Sequence, residues 1–222
     1  MNYNFIRKTL SVLISFALLI SSLTVLSQTN PTEKPFTNYS GRWLHTESIF
    51  PDSSGGEVII QNSYPKGGSQ YKDATGRTFS YVVFWTRVMN ETASPIELTI
   101  QFPGDSLPLN SSSNSYLKLF LPPGKMTLEK ESLFSYGLTG FEPFLDAGFN
   151  KPTMLQVTIS PKRESIFYTA ALFHHIDGPT RTAFIVKGED LFYKIINGKG
   201  LETKLIPCGK LVVEKKSGDE NS

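Results

Sequence analysis

Three histidines carry the most versatile chemistry in this chain, and two of them are adjacent. His174 and His175 fall near the end of the apolar run Ser165–Ile176, directly before the turn residues DGPT. Because side chains alternate sides along a strand, neighbouring imidazoles are expected to point in opposite directions. The two rings then cannot bind one metal ion. Pairing this run with Thr180–Lys187 as a hairpin places both histidines where a sheet edge meets water.

A metal site would need ligands from two distant segments. His175 and Asp177 share one strand face, and His45 and Glu47 in the segment WLHTES share another. A zinc site requires three or four such ligands that converge on one point. Nothing in the sequence brings the two segments together, so these four residues are only a remote alternative. The sequence predicts no metal and no other cofactor.

Catalytic groups have weak support in the sequence. The serines lie in loops such as PLNSSSNS, without a GxSxG motif. Glycoside hydrolysis needs one acid in an apolar setting, and only Glu142 and Asp146 in GFEPFLDAGF qualify. At helical spacing these two acids fit the solvated edge of a short amphipathic turn. The single cysteine, Cys208, is interpreted as a small buried hydrophobe. The sequence therefore favours a non-catalytic role.

Aromatic side chains are abundant, with 16 Phe, 9 Tyr and 2 Trp. Most of them must fill a core. Tyr and Trp at loop ends also stack on flat ligands and sugar rings, because they offer a wide contact at a small entropic cost. The candidate ligand-binding residues are Trp43, Tyr116, Tyr136, Phe141 and Phe144.

The N-terminus has the pattern of an export signal. Arg7 and Lys8 precede an apolar run, Leu10–Leu26, and the small residues Val25 and Ser27 suit a cleavage site after Ser27. The run has 17 residues, four of them serines, whereas a membrane span needs about 20 predominantly apolar residues. We therefore expect a cleaved signal peptide, with an uncleaved anchor as the alternative.

Charge and cysteine content limit the partners and the compartment. Without the signal, 20 Lys and Arg face 20 Asp and Glu, a balance that argues against nucleic acid and against acidic membranes. A lone cysteine excludes an intrachain disulfide. An exported chain that folds without a disulfide fits the bacterial envelope. The predicted organisation is a signal peptide (1–27), a polar linker (28–41), a single domain (42–214) and a polar tail (215–222).

The dominant sequence period is two, in short segments separated by Gly, Pro, Asn and Asp clusters, which predicts an all-β fold. Nine or ten short strands favour a two-sheet β-sandwich, either immunoglobulin-like or jelly-roll. The predicted strands are Arg42–Phe50, Glu57–Asn62, Thr78–Met89, Ile96–Phe102, Ser115–Leu121, Met154–Ile159, Ser165–Ile176, Thr180–Lys187, Leu191–Ile196 and Leu201–Val213.

Two of these strands, Thr78–Met89 and Ser165–Ile176, are apolar on both faces, so both faces must be covered. The opposite sheet covers one face. We predict that the segment Glu131–Pro152, hereafter the roof, covers the other. Its glycines and proline prevent one continuous helix, so we expect short helical turns that form a crossover at about 131–150. Its apolar residues recur at helical spacing, at Phe134, Leu138, Phe141 and Leu145.

The stretches VMNETASPIELTIQF and LFLPPGKMTLE resemble the immunoglobulin-like modules common in exported bacterial proteins, including small proteinase-inhibitor-like and adhesion domains. The resemblance implies a sandwich fold and a binding role. We expect a secreted or periplasmic protein that acts as a binding or structural module of the bacterial cell envelope. Its partner would be a protein or a carbohydrate, and no membrane span would remain after signal removal. The alternative is a secreted hydrolase that acts on an extracellular polymer such as a polysaccharide.

Overall fold

The computed structural model describes residues 41–52, 55–108, 115–175, 180–197 and 204–214. These residues belong to one compact unit and form an all-β sandwich of two antiparallel sheets. Its strands are β1 (Leu44–Pro51), β2 (Glu57–Ser63), β3 (Lys66–Lys72), β4 (Thr78–Asn90), β5 (Ile96–Phe102), β6 (Leu107–Pro108), β7 (Tyr116–Phe120), β8 (Thr153–Ile159), β9 (Glu164–His174), β10 (Thr180–Lys187), β11 (Asp190–Asn197) and β12 (Lys204–Val213). The helical elements are two 3-10 turns, Leu128–Lys130 and Phe134–Gly137, and the helix α1 (Phe141–Gly148).

The larger sheet has the strand order β1-β2-β4-β9-β7-β6. Its longest strand, β4, pairs with β9 along one side. On the other side, β3 pairs with the first half of β4 and β2 pairs with the second half. The smaller sheet has the order β10-β11-β12-β5-β8. The described residues include no helix long and apolar enough to cross a membrane.

The interior between the sheets is filled by every second residue of the facing strands, as the period of two requires. In β4, Phe84 and Val88 belong to this core. Phe167 of β9 and Phe184 of β10 meet across the interior, with ring centroids 5.7 Å apart. The backbone N–H of Phe184 donates a hydrogen bond to Oδ1 of the buried Asn62, at 3.0 Å, which ties β10 to β2.

The opposite face of β4 and β9 packs under the roof, as predicted from strands that are apolar on both sides. Trp85, fully buried, and Tyr81 lie on this face of β4, and they cluster with Phe141 and Leu145 of α1. The helical turns within the roof confirm the predicted crossover at about 131–150. Burying a Phe side chain stabilises a fold by roughly 1.5 to 3 kcal/mol, so this second core is a substantial part of the stability.

One predicted strand pairing is wrong. β9 pairs with β4 and β7 in the larger sheet, whereas β10 pairs with β11 in the smaller sheet, so the two strands do not form a hairpin. The residues that connect them, 176–179, lie outside the described ranges. His175 also leaves the strand with a left-handed backbone (φ 52°). The imidazoles of His174 and His175 therefore contact each other, with centroids 4.1 Å apart, instead of pointing apart.

Two further differences concern polar residues and short strands. Asn90 is a polar residue beside the turn that follows β4, but its side chain is fully buried and donates hydrogen bonds to the carbonyls of Ser94 and Ile159. The edge strands β3 and β6 were not expected from the sequence. Gly67 and Gly68 interrupt the alternation of side chains in β3, and β6 has only two residues. The predicted signal peptide, most of the linker and the predicted tail lie outside the described residues.

Candidate functional site

The roof contains three consecutive residues in the left-handed backbone region. Their φ values are 45° for Ser135, 54° for Tyr136 and 67° for Gly137. Glycine adopts this conformation freely, but each non-glycine residue held there costs on the order of 1 to 3 kcal/mol. Such a turn persists only when its surroundings fix it in several ways.

Two tyrosine hydroxyls hold this turn in place. The hydroxyl of Tyr136 donates a hydrogen bond to the carbonyl of Tyr64 at 2.5 Å, and the hydroxyl of Tyr168 donates to the carbonyl of Tyr136 at 2.8 Å. The side chain of Tyr136 is fully buried, and burial raises its pKa to about 12. The turn is thus anchored from the sheet on both its side chain and its backbone.

A lysine supports the turn from β3. Nζ of Lys66 donates hydrogen bonds to the carbonyl of Glu131 and, at 3.1 Å, to that of Leu133. The same ammonium lies 3.7 Å from the ring centroid of Trp43 and 4.7 Å from that of Tyr136, which is cation–π geometry. Desolvation by burial lowers the pKa of Lys66. This lysine therefore joins the start of the roof to two aromatic rings.

The fixed turn presents two large apolar side chains to solvent. Leu133 and Phe134, hereafter the tip, are 51% and 70% exposed. Helical spacing had grouped Phe134 with the buried Phe141 and Leu145. The left-handed residues after Phe134 break the helical phase, so its ring points away from the second core. The following residue, Ser135, turns inward and is only 5% exposed.

Three of the five aromatic residues predicted to bind ligands belong to the roof, whereas Trp43 and Tyr116 come from other segments. Trp43 and Tyr136 meet edge to face beside the tip, with centroids 6.4 Å apart. Phe141 and Phe144 stack at 6.0 Å in the middle of the roof. Tyr116 lies apart from them, 4.8 Å from the ring of His174. Tyr136 and Phe141 are buried and anchor the roof, whereas Trp43, Tyr116 and Phe144 are half-buried. Ligand binding by these five residues stays a prediction.

Hydrogen bonds reinforce the fold beside the C-terminal half of the roof. The hydroxyl of Tyr71 donates to Asp146 at 2.9 Å, and burial together with this bond raises the pKa of Tyr71 to about 12.

In the turn before β4, burial alone would raise the pKa of the Asp73 carboxyl. Hydrogen bonds from Thr75 and Arg77 outweigh that effect and lower the Asp73 pKa to about 2.

The four residues of the remote metal alternative have other roles or lie outside the described structure. The ring of His45 packs edge to face on Tyr64, with centroids 4.8 Å apart, and Glu47 accepts a hydrogen bond from Gln61 at 2.6 Å. His175 contacts His174, and Asp177 is not among the described residues. Within the described ranges, no three His, Cys, Asp or Glu side chains are grouped so as to hold a metal ion.

The acidic pair and the cysteine considered for catalysis do not have the surroundings of reacting groups. Glu142 and Asp146 of α1 are exposed to solvent, and Asp146 is engaged by Tyr71. Cys208 is 4% exposed, as expected for a small buried hydrophobe, and burial raises its thiol pKa to about 12. A thiol of this kind is a poor nucleophile at neutral pH.

Sequence reasoning missed Lys66 and the tip. Helical spacing does not distinguish the exposed Phe134 from the buried Phe141, since both are phenylalanines at helical spacing. The only available signal was the SYG triplet that follows Phe134, where a glycine indicates a possible reversal. Lys66 lies in a glycine-containing stretch that was not recognised as a strand.

No family model, no curated protein and no solved structure matches the chain. The candidate site is therefore defined by its own geometry. It consists of the tip, the left-handed turn behind it, and Lys66 with its two aromatic rings. All of these lie together where the roof begins.

Proposed function

We propose that this protein is an exported, non-catalytic binding module that recognises a protein partner through the tip. The observation that carries the proposal is the exposure of Leu133 and Phe134 on a turn that is both strained and strongly anchored. Folding alone gains nothing from this arrangement, because burying a Phe side chain would be worth roughly 1.5 to 3 kcal/mol. Strain of this kind clusters at sites that bind ligands.

A fixed turn is well suited to recognition. Binding normally costs about 0.5 to 1.5 kcal/mol for each side chain that is immobilised. Here the backbone on either side of Phe134 is already fixed by Lys66, Tyr64 and Tyr168. The tip can therefore enter an apolar pocket of a partner without a large loss of backbone freedom, which is how interface anchor residues act.

The chemistry beside the tip favours a protein over a carbohydrate. Phe134 is the open aromatic face of the tip, because Lys66 lies over the neighbouring ring of Trp43, and the guanidinium of Arg42 is 5.4 Å from the Trp43 centroid. Leu133 is aliphatic and offers no stacking surface for a sugar. An apolar pocket rimmed by acidic groups would complement both the tip and the cations next to it.

Export is part of the proposal and is supported by the charged start, the apolar run and the small-residue cleavage site at the N-terminus. A bacterial envelope protein is the partner class that follows from this location. The alternative function, a secreted hydrolase, would need polar side chains that converge on a substrate. The exposed Glu142 and the engaged Asp146 give it little support.

Co-sedimentation with envelope fragments from the source organism tests the proposal. The double variant Leu133→Ser with Phe134→Ser should lose binding while it keeps the thermal stability of the parent, because both side chains are exposed. The matched control is Ile49→Ser, which removes an apolar side chain that is 53% exposed on β1. Equal binding by the parent and the double variant would contradict the role of the tip.

A further inference from the structure

The strand β8 leaves one edge of the smaller sheet open. It is the last strand in the order β10-β11-β12-β5-β8 and, within the described residues, pairs with β5 alone. Its inward-facing residues Leu155 and Val157 pack against the core between the sheets but are only half-buried. Its outward-facing residues Met154, Gln156 and Thr158 are exposed. A further strand placed beside β8 would complete both faces.

β8 also lacks the features that normally protect an edge. Natural sheets block edge pairing with charges, prolines, bulges or very short strands. The β8 sequence, TMLQVTI, contains no charged residue, no proline and no glycine. It has seven residues, enough for a full set of ladder hydrogen bonds.

The other edge strands of the described structure carry such protection. β1 contains Glu47 and Pro51 together with a register shift. β3 begins and ends with lysine and is distorted at two glycines with positive φ. β6 has two residues, one of them a proline. β10 is joined to the opposite sheet through the Phe184 and Asn62 hydrogen bond. The contrast singles out β8 as an edge available for pairing.

We propose that β8 pairs in antiparallel register with β8 of a second copy of this protein, around a two-fold axis at Gln156. The two five-stranded sheets then become one continuous sheet across the dimer. In this register Gln156 lies opposite itself, Met154 lies opposite Thr158, and Leu155 lies opposite Val157. The interface is isologous, as closed two-fold dimers require.

A second copy fits this edge because the strand is complementary to itself. No cross-strand pair within TMLQVTI brings two like charges together, and the apolar inner positions meet apolar inner positions. At the ends of the strand, Lys151 of one copy comes near the Lys162 turn of the other. Lys162 is already paired with Glu91, with Nζ 2.6 Å from the carboxylate, so a counter-charge is present there.

Sedimentation equilibrium of the purified protein tests the proposal, with Gln156→Lys and Gln156→Glu as the perturbations. Each variant places two like charges directly opposite each other, and we expect dimer dissociation constants at least about fivefold higher than that of the parent. Mixing the two variants should restore the dimer, because Lys then lies opposite Glu.

The matched control is Gln101→Lys, which adds the same charge to the exposed face of β5, one strand away from the axis. It should leave the dissociation constant of the dimer unchanged. Cooperative thermal melts show that each variant is folded. A monomeric parent protein, equal dissociation constants for the Gln156→Lys and Gln101→Lys variants, or no dimer in the mixture would each overturn the proposal.

Discussion

The substitution Phe141→Ala tests whether the roof is a structural layer. Phe141 is 6% exposed, and its ring centroid lies 5.1 Å from that of Tyr81 and 6.4 Å from that of Phe120. Removing the ring therefore takes away contacts to two strands of the larger sheet. Truncating a buried Phe to Ala typically costs about 3 to 5 kcal/mol.

The expected change in melting temperature follows from the size of the chain. For a domain of this size, 1 kcal/mol corresponds to roughly 2 to 4 °C, so Phe141→Ala should lower the melting temperature by roughly 6 to 20 °C. Phe144 is half-buried beside it, and Phe144→Ala should show about half that loss. Differential scanning calorimetry or thermal melts followed by circular dichroism can measure both changes.

The matched control for these melts is Phe134→Ala, which removes the same side chain from an exposed position in the same segment. Surface substitutions stay within about 0.5 kcal/mol of the parent, so this melting temperature should change by no more than about 2 °C. If Phe141→Ala melted with the parent, the roof would be a mobile lid and the second core would contribute no stability.

Four further predictions concern ionisation, metals and processing. Folding lowers the Asp73 pKa from 3.8 to about 2, so the stabilisation that the ionised Asp73 gives the fold should be full above pH 3.8 and lost as the pH falls through 2. In urea unfolding, Asp73→Asn should abolish this pH dependence of stability. Because folding raises the Tyr71 pKa from 10 to about 12, its contribution should be present below pH 10 and disappear by pH 12, a loss that Tyr71→Phe should reduce. EDTA should leave the melting temperature unchanged, and a fall reversed by zinc would point back to the histidines. N-terminal sequencing of the exported protein should begin at Gln28, and an intact Met1 in the membrane fraction would refute cleavage.

The strand content and the roof could be predicted because they depend on local pattern. Alternation of apolar and polar residues reports which face of a strand is buried, and β4 and β9 displayed two apolar faces in the sequence itself. A second covering layer was therefore required by burial, and Glu131–Pro152 was the suitable segment. No knowledge of strand order was needed for this step.

Strand order could not be predicted, because it depends on pairings between residues distant in sequence. The turn-forming residues DGPT made a hairpin of β9 and β10 the natural interpretation, but the two strands belong to different sheets. The backbone reversal at His175 was equally hidden, because the left-handed conformation is uncommon even for histidine, although histidine is one of the non-glycine residues enriched in it.

The candidate site was only partly foreseen from the sequence. Trp43 and Tyr136 were selected as aromatic residues near loops, and the structure brings them together. The residues that define the tip were not selected, because the exposure of Phe134 results from three left-handed residues and from hydrogen bonds to distant carbonyls. Such tertiary constraints override helical periodicity and cannot be read from spacing.

Photo-crosslinking in the source organism tests the central claim most directly. With Phe134 replaced by benzoylphenylalanine, the exported protein should form one discrete adduct with an envelope protein, and adding Leu133→Ser should weaken that adduct. The same photoreactive residue in place of Ile49, which is also exposed, should not form it. No adduct from position 134, or the same adducts from both positions, would contradict a binding role for the tip.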